Sequence, residues 1–333
     1  MGLNDFWFLL IAVLWTGYFF LEGFDFGVGI LTRLLARDRR ERRVLINIIG
    51  PVWDGNEVWL ITAAGAMFAA FPVWYATFFS GFYLLLVLIL LLLIVRVLSF
   101  EYRHKRPEEN WQRNWEWVLF VSSLLLPFLW GMIFANLVHG VPVNSRQDYA
   151  GSFADLLNGY AILGGLAFTA LCTLHGAVFT ALKTVGDIRV RARAFANRAA
   201  VVTALLAAAF LIWMQTDRGN GATWVAFCVA LAALVASLVM NVRGREGWAF
   251  AFTGIAIAAT VAAMFLALAP DVMPSSLNSA WNLTVDNAAS GPYTLKVMTW
   301  VAGIMTPLVL LYQGWTYWVF RKRLGTQHIA DAH

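Results

Sequence analysis

VWYATFFSGFYLLLVLILLLLIVRVL, Val73–Leu98, decides the fold class. Its only charge is Arg96. At 1.5 Å per residue such a run reaches about 39 Å as a helix, beyond the roughly 30 Å of hydrocarbon in a bilayer. Eight further apolar runs read the same way, at 6–34, 50–71, 117–139, 156–182, 199–216, 222–241, 248–269 and 295–319. Backbone groups in lipid must find partners inside their own segment, so each run is expected to be a helix. Period-2 alternation is missing, which excludes a β-barrel. The 333 residues are 60% hydrophobic and only 13% charged. Soluble domains run at about 45–50% and 25%. Mean hydropathy is +0.68. So few charges cannot cover a water-soluble surface of this size, which excludes a soluble enzyme, a disordered chain and a disulfide scaffold. The expected fold is all-α: a polytopic membrane protein of about nine transmembrane helices, with residues 1–333 forming one integral membrane domain.

The charges orient it. Net charge is +5 and the isoelectric point about 9.4. The excess sits in the short loops, so no nucleic acid is expected as partner. With the 35–49 loop inside, 21 of the 24 Lys and Arg lie on that side, and only Arg146, Arg218 and Lys296 lie opposite. The positive-inside rule then puts the N-terminus outside and the C-terminus in the cytoplasm. The 16 Trp suit interfacial belts. MGLNDFWF has no basic leader, so the first run reads as a retained helix. The longest loops, 140–155 and 270–294, lie outside, and the second reads as irregular. Cys172 and Cys228 lie in apolar runs and suggest neither a disulfide nor a metal site.

Acids inside such runs are costly and point to function by default. Glu22 and Asp25 are three apart on the first span, and Asp54 and Glu57 are three apart on the second. The assigned directions bring Asp25, Asp54 and Glu101 to similar depth on the cytoplasmic side. Two readings fit. The acids form a proton entry, with Trp53 and Asn56 shaping a polar pocket, or Arg96 or Arg33 pairs with them to hold helices together. Gly23 and Gly27 form a GxxxG, which suits close helix packing.

Histidines test for haem. His139 ends the fourth span, and His175 lies roughly 28 Å deeper along the fifth. They cannot share one iron. His104, His328 and His333 lie in a loop or the tail. No metal site is expected.

Several segments in order, GFDFGVG (Gly23–Gly29), ERRVLINIIGPVWDGNEVWLITAAGAMFAAFP (Glu41–Pro72), SGFY (Ser80–Tyr83), SFEYR (Ser99–Arg103), NLVHGVP (Asn136–Pro142), VMPSS (Val272–Ser276) and LKVMTWV (Leu295–Val301), resemble subunit II of the cytochrome bd-type quinol oxidases. The resemblance spans essentially the whole chain. It implies two four-helix bundles plus one further helix, in a bacterial or archaeal plasma membrane. It implies a partner, subunit I, carrying haem b and haem d, with quinol and dioxygen as the substrates of the complex. Small accessory subunits and a structural quinone occur in some members. The resemblance assigns no redox centre to this chain. It places Asp25, Asp54 and Glu101 at acidic positions of a cytoplasmic proton route, with Glu22, Glu57, Trp53 and Asn56 as further candidates. Glu101 stands where some members have Asp, Glu57 where some have Gln, and Val52 where some have His. A proton-coupled transporter is one rival, but no repeat or broken helix at a midplane site is evident. A purely structural scaffold subunit is the other.

Two outcomes follow. A reporter fused after His333 is expected to be active only in the cytoplasm; periplasmic activity would mean a miscounted span. The subunit expressed alone is expected to show no stoichiometric haem spectrum. One haem per chain, lost in His175→Ala, would overturn that reading.

Overall fold

The computed structural model of the chain describes residues 2–329, so His333 lies outside the described residues. Eleven α-helices follow one another: α1 (Leu3–Leu34), α2 (Arg39–Ile49), α3 (Trp53–Ala70), α4 (Pro72–Gly81), α5 (Tyr83–Tyr102), α6 (Glu109–His139), α7 (Gly159–Lys183), α8 (Gly186–Arg218), α9 (Gly221–Val242), α10 (Glu246–Leu268) and α11 (Pro292–Val319). Among the described residues, eight are long and apolar enough to cross a membrane. The ninth long helix, α3, falls short in hydropathy because Asp54, Asn56 and Glu57 occupy its first turns. It packs antiparallel along α1, with Trp15 meeting Met67 near one end and Asp25 meeting Asn56 near the other.

The run that opens the sequence reading is two helices. Pro72 starts α4, where its missing N–H costs nothing. The chain then breaks at Phe82 before α5. The 35–49 segment, read from sequence as a basic loop, contains α2. Asp38 caps it by accepting from the Glu41 N–H at 2.9 Å. Its apolar stripe, Val44, Leu45, Ile48 and Ile49, is buried. Helices α6 and α8 overrun their expected spans, since their charged first turns continue the helix past the apolar part.

The core divides into two groups. Helices α1, α3, α5 and α6 form the first, and α7, α8, α9 and α10 the second; α1 and α6 both pack on α7. Helix α11 stands outside and touches chiefly α1 and α3. Its ends are tied. Ser290 donates to the Ala69 and Ala70 carbonyls at 2.7 and 2.8 Å, and Leu324 pairs with the chain at Lys183 and Val185. Between these ends the helix is mostly exposed, with Trp300, Leu311, Tyr312 and Trp315 facing outward.

The 270–294 loop, expected to be irregular, is ordered by its polar side chains. Strands β1 (Asp271–Met273) and β2 (Leu283–Thr284) pair antiparallel. Asn282 donates to Asp271 at 2.7 Å, and the Ser275 hydroxyl donates to the Val143 carbonyl at 2.7 Å, knitting this loop to 140–155.

Buried acids gather arginines at the end carrying the basic loops. Glu116 takes Arg103 at 2.8 Å, Arg42 at 3.2 Å and Arg33 at 4.0 Å. Glu246 takes Arg189 at 2.7 Å, Arg323 at 3.6 Å and Arg193 at 3.8 Å. Each acid ties several elements together, and removing it would leave arginines crowded without their counter-charge.

The two groups meet most closely at Gly27 and Gly176. A Cβ on Gly27 would strike the Cys172 carbonyl oxygen and lie 2.8 Å from Gly176 Cα, so nothing flexible can yield. Gly23 differs: a Cβ there would rest 3.4 Å from Cys172 Sγ, an ordinary contact. Gly23→Ala is therefore expected to assemble normally. Gly27→Leu is expected to lose most of the complex, overpacking costing about 1–3 kcal/mol or more. Yield of detergent-extracted complex checks both; equal yields would show that the crossing relaxes freely.

Candidate functional site

Helix α1 brings Glu22 and Asp25 to the middle of the first group, both fully buried. Helix α5 supplies one fully buried guanidinium, Arg96, whose Nη1 donates to Glu22 Oε1 at 2.5 Å. Its charge lies 5.0 Å from the Phe26 ring centre and 5.4 Å from that of Phe100, so aromatic faces replace part of the lost hydration. Helix α3 supplies Asn56, fully buried, whose Nδ2 donates to Asp25 Oδ2 at 2.7 Å. Helix α11 completes the site. Tyr317 donates to Asn56 Oδ1 at 2.7 Å, and Gln313 Nε2 approaches the same oxygen at 3.4 Å. Trp59 donates to Gln313 Oε1 at 2.9 Å.

Several buried polar atoms of this cluster have no hydrogen-bond partner among the described residues: Glu22 Oε2, Asp25 Oδ1, Glu57 Oε2, and Arg96 Nε and Nη2. Charges this deep are tolerated only when balanced, and one guanidinium balances one carboxylate. That leaves Asp25 and Glu57 with open hydrogen-bonding capacity.

The expected acids separate. Glu22, Asp25 and Asn56 come together; Glu57 is half-buried at their edge. Asp54 and Glu101 are exposed in the subunit. Their depth follows from topology, but their direction does not. Asp54 lies two residues from Asn56, about 200° around the helix, and Glu101 lies five residues beyond Arg96, about 140° around. Trp53 packs tilted on Phe100 at 5.6 Å, bracing one of the rings beside Arg96. Glu101 neighbours His104, whose imidazole burial pushes below its ordinary range, with Arg103 and Arg43 pushing the same way and Glu101 opposing. Arg33 turns to Glu116, so of the two arginines weighed from sequence Arg96 is the one paired within the acidic cluster. Gln313 and Tyr317 escaped the sequence reading. Their signal is faint: two uncharged polar groups four apart on one stripe of an otherwise apolar helix.

The two histidines of the apolar spans are both engaged by the protein. His175 stacks on Phe250, with ring centres 4.5 Å apart. Its Nε2 donates to the Phe20 carbonyl at 3.1 Å, and its Nδ1 lies 2.6 Å from the Thr253 hydroxyl, so neither nitrogen is free for iron. His139 Nδ1 is held by Asp217 at 2.7 Å.

Comparison with known proteins places this architecture. The sequence profile of cytochrome bd terminal oxidase subunit II matches residues 3–320. The chain is 47% identical over 330 residues to cytochrome bd ubiquinol oxidase subunit 2 of Bacillus subtilis, covering 97% of each chain. It is 37% identical to cytochrome bd-I ubiquinol oxidase subunit 2 of Escherichia coli K12, covering 97% of this chain and 95% of that one. A chain of the bd oxidase structure from Geobacillus thermodenitrificans shares the fold at 18% identity, with a TM-score of 0.78 over 97% of this chain and 100% of that one. The chain belongs to the cytochrome bd terminal oxidase subunit II family, and is a multi-pass membrane subunit of a terminal oxidase complex.

Proposed function

We propose that this chain is the haem-free accessory subunit of a complex that oxidises quinol and reduces dioxygen to water, and that its α1–α3–α5–α11 cluster leads protons from the cytoplasm toward the haems of subunit I. The observation that carries the reading is the burial of Glu22 and Asp25, with Glu57 beside them, around a single guanidinium. Oxygen reduction consumes protons, and carboxyls inside a membrane can hand them on. Asp54, exposed on the first turn of α3, stands at the entrance, and Glu101 lies at the exposed end of α5. The basic loops support an N-out, C-in orientation in the plasma membrane. Helix α11, tied at its ends and otherwise bare, is the face we assign to subunit I, which would bring that partner against Leu311, Tyr312 and Trp315 and leave Gln313 and Tyr317 turned inward to α3. An open apolar groove between α3 and α4–α5, lined by Leu60, Phe68, Tyr75, Phe79 and Leu86, is where a structural quinone or a lipid chain would lie.

Turnover per haem in the assembled complex tests the route. Asp25→Asn is expected to keep haem content and lower turnover about tenfold or more, because an amide holds the shape but cannot relay. Asp54→Asn, where water can substitute, is expected to cost about threefold, with Asp54→Glu retaining more. A scaffold role predicts instead that haem and activity fall together. Wild-type turnover per haem in Asp25→Asn, at several pH values and saturating quinol, would sink the proposal.

A further inference from the structure

Amides can point either way round, so the direction of an amide chain must be set by groups whose polarity is fixed. Here both ends are fixed. The Trp59 indole N–H can only donate, so Gln313 meets it with Oε1 at 2.9 Å and turns Nε2 toward Asn56. The Leu21 carbonyl can only accept, and it lies 3.4 Å from Asn56 Nδ2. Asn56 therefore presents Oδ1 to α11 and Nδ2 to α1. Tyr317 meets that Oδ1 at 2.7 Å, so its hydroxyl proton is committed to Asn56. The string Trp59–Gln313–Asn56–Asp25 runs donor to acceptor in one direction and ends on Asp25 Oδ2, which receives an N–H at 2.7 Å. The other oxygen, Oδ1, is buried and has no hydrogen-bond partner among the described residues.

We propose that Gln313 and Tyr317 are positioning residues: by fixing the Asn56 amide they make Asp25 Oδ2 a permanent acceptor and confine the exchangeable proton of Asp25 to Oδ1. Uptake forms the Oδ1–H bond. Release breaks it, the electron pair staying on Asp25 and the proton passing to the next carboxylate of the cluster. The charged and titratable groups around Asp25 are Glu22 on α1, Glu57 on α3, Arg96 on α5 and Tyr317 on α11. Neither Tyr317 nor Asn56 relays the proton; each holds a direction. The functional meaning rests on the proton-route reading, but the geometry can be tested apart from it.

The test is infrared difference spectroscopy on the complete oxidase. The C=O band of protonated Asp25 is assigned by its loss in Asp25→Asn. In the intact protein that carbonyl is Oδ2, lowered in frequency by the Asn56 N–H. In Gln313→Leu/Tyr317→Phe the amide is freed, and the band is expected to move up with haem content unchanged. Turnover per haem is expected to fall about fivefold, the worth of one net hydrogen bond. A band that stays in place overturns the proposal, as does the absence of any carboxyl band lost in Asp25→Asn. Where the double variant loses haem, Gln313→Leu alone, which removes the donor of fixed polarity and leaves a hydroxyl that can turn either way, is read by the same criterion: a higher band supports the lock and an unmoved one overturns it. If the band moves while Asp25→Asn retains wild-type turnover, the positioning role stands and the proton route falls.

Discussion

Helix α1 carries two carboxyls into the middle of a membrane protein, and everything around it follows from the need to keep lipid off them. From Leu21 to Thr32 every residue of α1 is buried. A membrane helix ordinarily keeps one face for lipid, so burial on every side demands neighbours all round. These are α3, α6, α7 and α10, with α5 reaching in through Arg96 and α11 closing part of the edge. The glycines of α1 serve the same end. Gly27 and Gly29 let α7 and α6 close in, Gly27 against the Cys172–Gly176 backbone and Gly29 against Ser123. With no strong hydrophobic drive between helices in lipid, such contacts must come from close packing and polar bonds.

The same constraint gives the site its character. One fully buried guanidinium among more than one buried acid holds Glu22 and leaves the others to hydrogen bonds and protons. Aromatic rings stand where water would otherwise hydrate Arg96. The arginine clusters around Glu116 and Glu246 show the contrasting arrangement, in which cations outnumber the acid and charge ties helix ends together.

Much of the fold was legible because long apolar runs leave little choice but helices. The exceptions have local causes. Helix α2 hides behind Arg39, Arg40, Arg42 and Arg43, whose charge masks the stripe ending at Ile49. The break at Phe82 lies inside a run that hydropathy treats as uniform. At the site, Glu22 and Asp25 were legible by spacing and cost, and the Arg96 pairing was one of two readings left open. Depth along a helix follows from topology, whereas azimuth is set by packing. The reading of Asp54 and Glu101 by depth therefore carried no information on which way they face, and both are exposed in the subunit. Gln313 and Tyr317 carry no charge, so nothing in composition separates them from ordinary interfacial polar residues.

The enclosure of α1 also fixes an order of events during synthesis. Helix α1 precedes its neighbours in the chain, and the groups that complete its surroundings come far later: His175 reaches the Phe20 carbonyl across 155 residues of chain, and Gln313 reaches Trp59 across 254. Until then the acids of α1 have no finished shelter, and the contacts that supply it are almost wholly non-local, the kind that form slowly. Helix α1 is thus made before the helices that enclose it and finished only with them. A ribosome that stops short of α7 leaves a fragment in which Arg96 and Asn56 can already hold the acids, while the Phe20–Gly27 side of α1 still lacks its cover.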